Sequence, residues 1–148
     1  MSIIEADHYS LLEGLPAWRW PNFKPSELAC EGTGKLLLDM DALDRLQFLR
    51  TAINTPLKIN CGYRSPEHNE ALIRAAKTPK ERPAKNSLHM QGKAFDVSIR
   101  AQFFKGDPKR LYALAKHFGF TGFGFYRTFL HIDTGRAREW GTHKGLYV

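Results

Sequence analysis

One decapeptide limits what this 148-residue chain can become more than any other feature. Residues 87–96 read Ser-Leu-His-Met-Gln-Gly-Lys-Ala-Phe-Asp, and a second polar pair, His131 and Asp133, follows downstream. Two imidazoles and a carboxylate form a donor set for one zinc ion that leaves a fourth position open. His89 and Asp96 lie seven apart, which suits a turn running into a strand better than one helical face. His131 then has to come from a second strand, so the pattern calls for a sheet with one polar face. Period-2 alternation puts Asp96, Ser98 and Arg100 on that face and Phe95, Val97 and Ile99 in the core, and it puts His131 and Asp133 on one side with Leu130 and Ile132 opposite.

The rest of the chain reads as helices interleaved with short strands. Leu43, Leu46, Leu49 and Ile53 recur at helical spacing, with Asp39 or Asp41 able to cap the helix and Asn54-Thr55-Pro56 to stop it. Residues 57–61 alternate as a strand, residues 62–66 turn, and a second helix begins at Ser65 or Pro66. Residues 77–86 are polar and carry prolines, which predicts a loop. Asp107-Pro108 opens a third helix that ends at Gly119, and residues 122–126 and 129–133 form a hairpin around Arg127-Thr128. The expected fold is α+β: a small, mainly antiparallel sheet with helices packed on one side. The chain is read as one domain, with an arm over 1–21, irregular or a short turn, that lays its tryptophans on the body, a core over 22–140 and a tail over 141–148; the stretch after Gly135 reads as polar and extended.

Composition narrows the partners. The chain is 43% hydrophobic and 25% charged, which fits a folded soluble domain, and no apolar run is long enough to span a bilayer. The N-terminus lacks a basic start followed by an apolar stretch, so no secretory signal is expected. A net charge of +7 suits an anionic polymer such as cell wall. Lys77, Lys80, Arg82 and Lys85 fall in a proline-bearing loop and not on a helical stripe interleaved with aromatics, so nucleic acid is not expected as a partner. The two cysteines, Cys30 and Cys61, fit no CxxC pattern and read as free thiols, with a disulfide between them left open.

Ser-x-His-x-x-Gly-x-Ala-x-Asp followed by a strand histidine resembles the zinc-dependent D-Ala-D-Ala carboxypeptidase family (peptidase family M15), whose relatives include phage endolysins, murein endopeptidases and the hedgehog signalling domain. The resemblance extends over Phe23–Leu28, Leu46–Arg50, Cys61-Gly62-Tyr63-Arg64-Ser65-Pro66 and His131-Ile132-Asp133-Thr134-Gly135, in the manner of the short cell-wall peptidases. It implies that His89, Asp96 and His131 hold one Zn2+, that Arg64 binds a substrate carboxylate or carbonyl, and that Ser87 either bonds substrate or orders the loop before His89. Many members carry a carboxylate three residues before the last histidine, and here that position is Thr128. Asp133 is the remaining carboxylate nearby, either taking a proton from water or orienting a ligand from behind. His68 and His143 are further candidates in an early helical turn and in the tail.

The resemblance implies a monomeric zinc metallopeptidase, made in the cytoplasm and released or delivered to the wall. Its substrate would be a stem or cross-link peptide of peptidoglycan. Carboxypeptidase, endopeptidase and endolysin activities all stay open, and so does a different class of function: a zinc-containing module that binds wall without cutting it.

Overall fold

In the computed structural model, which describes residues 2–148, the polar face called for by residues 87–133 belongs to a five-stranded sheet. The elements in chain order are β1 (Ile3–Ala6), α1 (Pro25–Leu28), β2 (Leu36–Asp39), α2 (Met40–Ile53), β3 (Ile59–Cys61), α3 (Pro66–Ala75), β4 (Ala94–Ser98), α4 (Pro108–His117), β5 (Gly122–Phe125), β6 (Phe129–Asp133) and β7 (Arg138–Gly141). The main sheet has the order β3-β4-β6-β5-β7 and is antiparallel except for the parallel pair β5–β7. The α+β class expected from sequence is the class observed.

Helix boundaries follow local chemistry. Asp39 caps α2, its Oδ1 accepting the amides of Asp41 at 2.9 Å and Ala42 at 3.3 Å, and Asn54 ends the helix in the left-handed conformation at φ 53°. Ser65 caps α3 by accepting the His68 amide, and Asp107 caps α4 by accepting that of Lys109, each just ahead of a proline at the first helical position. The buried stripe of α2 (Ala42, Leu43, Leu46, Leu49, Ile53) joins Leu111 and Ala115 of α4 and the inward residues Phe95, Val97, Phe123, Phe125, Leu130 and Ile132 in one core. Complete burial of a leucine or phenylalanine side chain contributes about 1.5–3 kcal/mol, so this layer anchors the strands that carry the polar face.

The structure departs from the expected arm and tail. Residues 2–21 are not wholly irregular, since β1 pairs antiparallel with β2, while Trp20 packs on the body as its segment led one to expect, buried in the core with its Nε1 donating to Asp44 at 2.8 Å. The four residues of β1 are too short a run to show a period, and their partner lies far along the chain. The segment after Gly135 is also not simply extended, because β7 adds to the sheet beside β5. Ser98, placed on the polar face by alternation, is fully buried, and its Oγ accepts the Arg100 amide.

Candidate metal centre

His89 projects from a single 3₁₀ turn, Leu88–Gln91, that leads into β4. Ser87 caps the turn by accepting the His89 amide on its Oγ, and Gly92 closes it at φ 67°. A Cβ at Gly92 would overlap the backbone of Leu37 and Leu38, so both the left-handed conformation and the approach to β2 require glycine. The backbone amide of Arg64 donates to the His89 carbonyl at 3.1 Å, tying the turn after β3 to the same turn.

The register of β4 and β6 places Asp96 opposite His131. Asp96 Oδ1 stands 3.3 Å from His89 Nε2 and 2.9 Å from His131 Nδ1, so two imidazoles converge on one carboxylate oxygen. The far nitrogen of each ring is held from behind. His89 Nδ1 lies 2.8 Å from the Gly62 carbonyl, which only accepts, so Nδ1 carries the proton and Nε2 faces Asp96. His131 Nε2 lies 2.7 Å from Asp133 Oδ2 and donates to it, leaving Nδ1 toward Asp96.

Asp133 has no exposed surface and is fully engaged. Arg138 donates Nη1 to Oδ1 at 2.9 Å and Nη2 to Oδ2 at 2.7 Å, and the Gly135 amide donates to Oδ1 at 2.9 Å. Burial opposes the charge of Asp133, but the bonds from His131 and Arg138 outweigh it and bring its pKa down to about 2.

Two glycines let these contacts form across β5. Gly122 is the register partner of both Asp133 and Arg138, and Gly124 of both His131 and Trp140. A Cβ at Gly122 would overlap Arg138 Nη1 and Asp133 Oδ1, and one at Gly124 would press on the Trp140 ring. Residues 122–125, Gly-Phe-Gly-Phe, thus send phenylalanines into the core and leave the other face open for side chains of β6 and β7 to meet.

The electrostatics of the cluster follow from Asp96. Burial disfavours its charge, yet the two imidazoles hold its carboxyl well below the ordinary range. Burial pushes the His89 imidazolium down, but the adjacent Asp96 carboxylate prevails and raises its pKa to about 10. His131 is likewise raised, with burial opposing and the bonds to Asp133 and Asp96 prevailing. The donor set itself, two neutral-capable imidazoles oriented from behind and one carboxylate, fits zinc.

The cluster forms part of a cleft of about 440 Å³. Arg64, Lys80, Arg82 and Ser87 line it together with Tyr126, Phe129 and Trp140. Tyr126 and Phe129 stack with centroids 4.4 Å apart, and Trp140 Nε1 donates to the Tyr126 hydroxyl at 3.0 Å. Arg64 donates to Asn69 Oδ1 at 3.2 Å and to Cys61 Sγ at 3.4 Å. A larger cavity, about 580 Å³, shares Arg64 with the cleft but contains none of His89, Asp96 and His131, so the chemistry belongs to the smaller space.

The structure therefore brings His89, Asp96, His131, Arg64 and Ser87 to one cleft, with Asp133 directly behind it. His143 bonds the neighbouring Thr142 hydroxyl, and His68 lines the other cavity. Sequence reading missed Arg138 and Trp140, which it left in a polar, extended stretch, and it read Cys61, which lies beside Asp96, as a free thiol. The alternation of Arg138, Glu139 and Trp140 was the available signal for the first two.

Fold and site together define a class: a small α+β domain carrying a cluster of two histidines and one carboxylate in a cleft. The chain belongs to peptidase family M15, since the M15 profile described as peptidoglycan L,D-endopeptidase MepK matches residues 34–140. It is 36% identical over 90 residues to the "Probable peptidoglycan L,D-endopeptidase MepK" of Haemophilus influenzae, covering 59% of this chain and 44% of that protein. It is 32% identical over 105 residues to the peptidoglycan L,D-endopeptidase MepK of Escherichia coli, covering 70% of this chain and 54% of that one. The chain spans about half the length of the curated relatives it matches. No helix among the described residues is long and apolar enough to cross a membrane.

Proposed function

We propose that this chain is a zinc-dependent endopeptidase that hydrolyses cross-link peptides of peptidoglycan. The observation that carries the reading is the convergence of His89 Nε2 and His131 Nδ1 on Asp96 Oδ1, at 3.3 and 2.9 Å, in the cleft. The MepK relatives support the substrate, and their L,D-endopeptidase names favour an internal cross-link bond over a terminal D-Ala-D-Ala bond. The excess of basic residues suits an anionic wall, which the protein would reach by release or delivery.

His89, Asp96 and His131 would hold the ion. When bound, zinc polarises the scissile carbonyl and makes the attacking water more acidic. The Gly62 carbonyl and Asp133 fix which nitrogen of each imidazole faces the ion. Arg64, with Lys80 and Arg82, gives the cleft a cationic wall for the free carboxylates of stem peptides. Ser87 orders the His89 turn by capping it. Thr128 has no group to take a proton at neutral pH, and Asp133 is occupied by three donors, so Asp133 serves as a positioning residue. Among the described residues, the carboxylates lining the cleft are Asp96 and Glu81. Glu81 Oε2 accepts the Lys77 amide at 3.0 Å, which leaves Oε1 to receive a proton from water.

The absence of an acid at position 128 favours one competing reading, a zinc-containing module that binds wall without cutting it. Mass spectrometry of muropeptides separates the two. Purified sacculi treated with zinc-loaded protein should release new amine and carboxyl ends, products should vanish with chelator or His89→Ala, and Glu81→Gln should slow release about 10²-fold or more while zinc stays bound. Tight wall binding with no new ends would overturn the peptidase reading.

A further inference from the structure

We propose that Cys61 is a fourth protein ligand of the metal, so that the donor set is Cys-His-Asp-His. The inference rests on His89, Asp96 and His131 holding an ion, and it adds a residue that this motif does not include.

The strand geometry carries it. Ile59 of β3 pairs with Val97 of β4, and regular antiparallel pairing would then set Asn60 opposite Asp96 and Cys61 opposite Phe95. A register shift between Ile59 and Cys61 instead sets Cys61 opposite Asp96. Such an irregularity re-aims side chains and recurs beside functional sites. Residues directly opposite on antiparallel strands point to the same face with Cβ atoms about 4.5–5.5 Å apart, so the shift brings the thiol to the polar face beside the carboxylate. Donor atoms of Cys61, His89 and Asp96 all lie within 4.8 Å of one another, and His131 joins them through Asp96, its Nδ1 2.9 Å from Asp96 Oδ1. Asn60, the residue displaced from that position, is exposed.

The surroundings suit a sulfur that carries negative charge. Arg64 Nη2 donates to Cys61 Sγ at 3.4 Å, a contact a guanidinium makes more strongly to a thiolate than to a thiol. Cys61 is partly buried and free, so no disulfide competes for it. The other thiol, Cys30, is buried beside the Ser65 hydroxyl and takes no part in the cluster. Binding a divalent ion removes the thiol proton to solvent, and the new bond is metal–sulfur. A soft thiolate beside two imidazoles and one carboxylate also selects zinc over magnesium or calcium. Zinc can expand to five ligands, so a site that includes Cys61 would still admit a substrate carbonyl or water.

Cobalt(II) is the probe, added to metal-free wild type, Cys61→Ser and Cys30→Ser. Wild type and Cys30→Ser should show an intense near-ultraviolet sulfur-to-cobalt charge-transfer band together with the visible ligand-field bands. Cys61→Ser should keep the visible bands, lose the charge-transfer band and bind zinc at least about tenfold more weakly. Visible bands without charge transfer in wild type, or a charge-transfer band that survives in Cys61→Ser, would overturn the Cys61 assignment and leave the three-residue site standing. Failure of wild type to bind cobalt or zinc would overturn both. Should Cys61→Ser not fold, iodoacetamide labelling of wild type with peptide mapping decides the point. Zinc should slow alkylation of Cys61 at least about tenfold, and equal rates with and without zinc would refute coordination.

Discussion

Arg138 grips Asp133 with both terminal guanidinium nitrogens, at 2.9 and 2.7 Å, and Asp133 in turn holds the Nε2 of His131 at 2.7 Å. The chain of contacts runs from β7 through a buried carboxylate to the imidazole that faces Asp96. It fixes the ring's orientation and tautomer and leaves the carboxylate no free valence. Arg138→Ala and Asp133→Asn should each therefore weaken zinc binding about 10–100-fold without abolishing it, since the three donors remain. Competition titration against a chelator of known affinity measures the loss, and unchanged affinity in both variants would remove Asp133 from the support of His131.

The same loss should follow from a change that touches neither partner. Gly122 lies between Asp133 and Arg138, and a methyl there would occupy the space of their contact. Gly122→Ala should lower zinc affinity by about the factor expected of a lost supporting residue, 10–100-fold. The double variant Gly122→Ala/Arg138→Ala should be little worse than either single one, because both break one contact. Additive losses in the cycle would show that Gly122 acts elsewhere.

The sequence made the convergence of His89, Asp96 and His131 legible because they sit in a compact motif and on strands whose alternation is regular. His131 and Asp133 share a face as the period of two requires, and Leu46 and Leu49 lie in the core as the helical period requires. What escaped depends on contacts between segments that no local pattern reports. Arg138 matters because β7 lies parallel to β5, a pairing that residues 134–141 do not announce. Cys61 faces Asp96 because of a one-residue register shift, and strict alternation from Ile59 would have put a different residue there.

Metal binding should release protons. Asp96 raises the His89 pKa to about 10, so at neutral pH the metal-free site carries a proton that the cation must displace. Apparent zinc affinity should rise about tenfold per pH unit for each proton released, up to the pH at which His89 titrates. Calorimetry in buffers of different ionisation enthalpy counts those protons directly. A binding enthalpy that does not vary with buffer would mean His89 is already neutral.

Arg64 stands at the cleft with its side chain committed only to Asn69 and Cys61. Arg64→Ala should leave one zinc per chain and lower kcat/KM about 10–100-fold, the equivalent of a lost hydrogen bond to a charged group at about 1.5–3 kcal/mol. Arg64→Lys should recover only part of this, because a lysine keeps the charge but not the two-pronged geometry. Kinetics on a defined cross-linked muropeptide, with metal content measured alongside, separate this outcome from loss of the ion.

Acid should act on the metal-free fold through Asp133. The folded-state pKa of about 2 lies below the unfolded value near 4, so the folded form favours the ionised carboxylate. Its contribution is complete above the unfolded pKa and is lost as pH falls through the folded one, between about pH 4 and pH 2. A shift of that size corresponds to about 2 kcal/mol, and the full burial of Asp133 within its bonds to Arg138, His131 and Gly135 makes solvent screening small. Urea unfolding of metal-free protein at intervals from pH 7 to pH 2.5 should show stability falling most steeply in that window. Asp133→Asn should start from a lower stability and lose less across it, because the asparagine has no proton to take up. An acid limb equally steep in the variant would mean that another carboxylate carries the dependence.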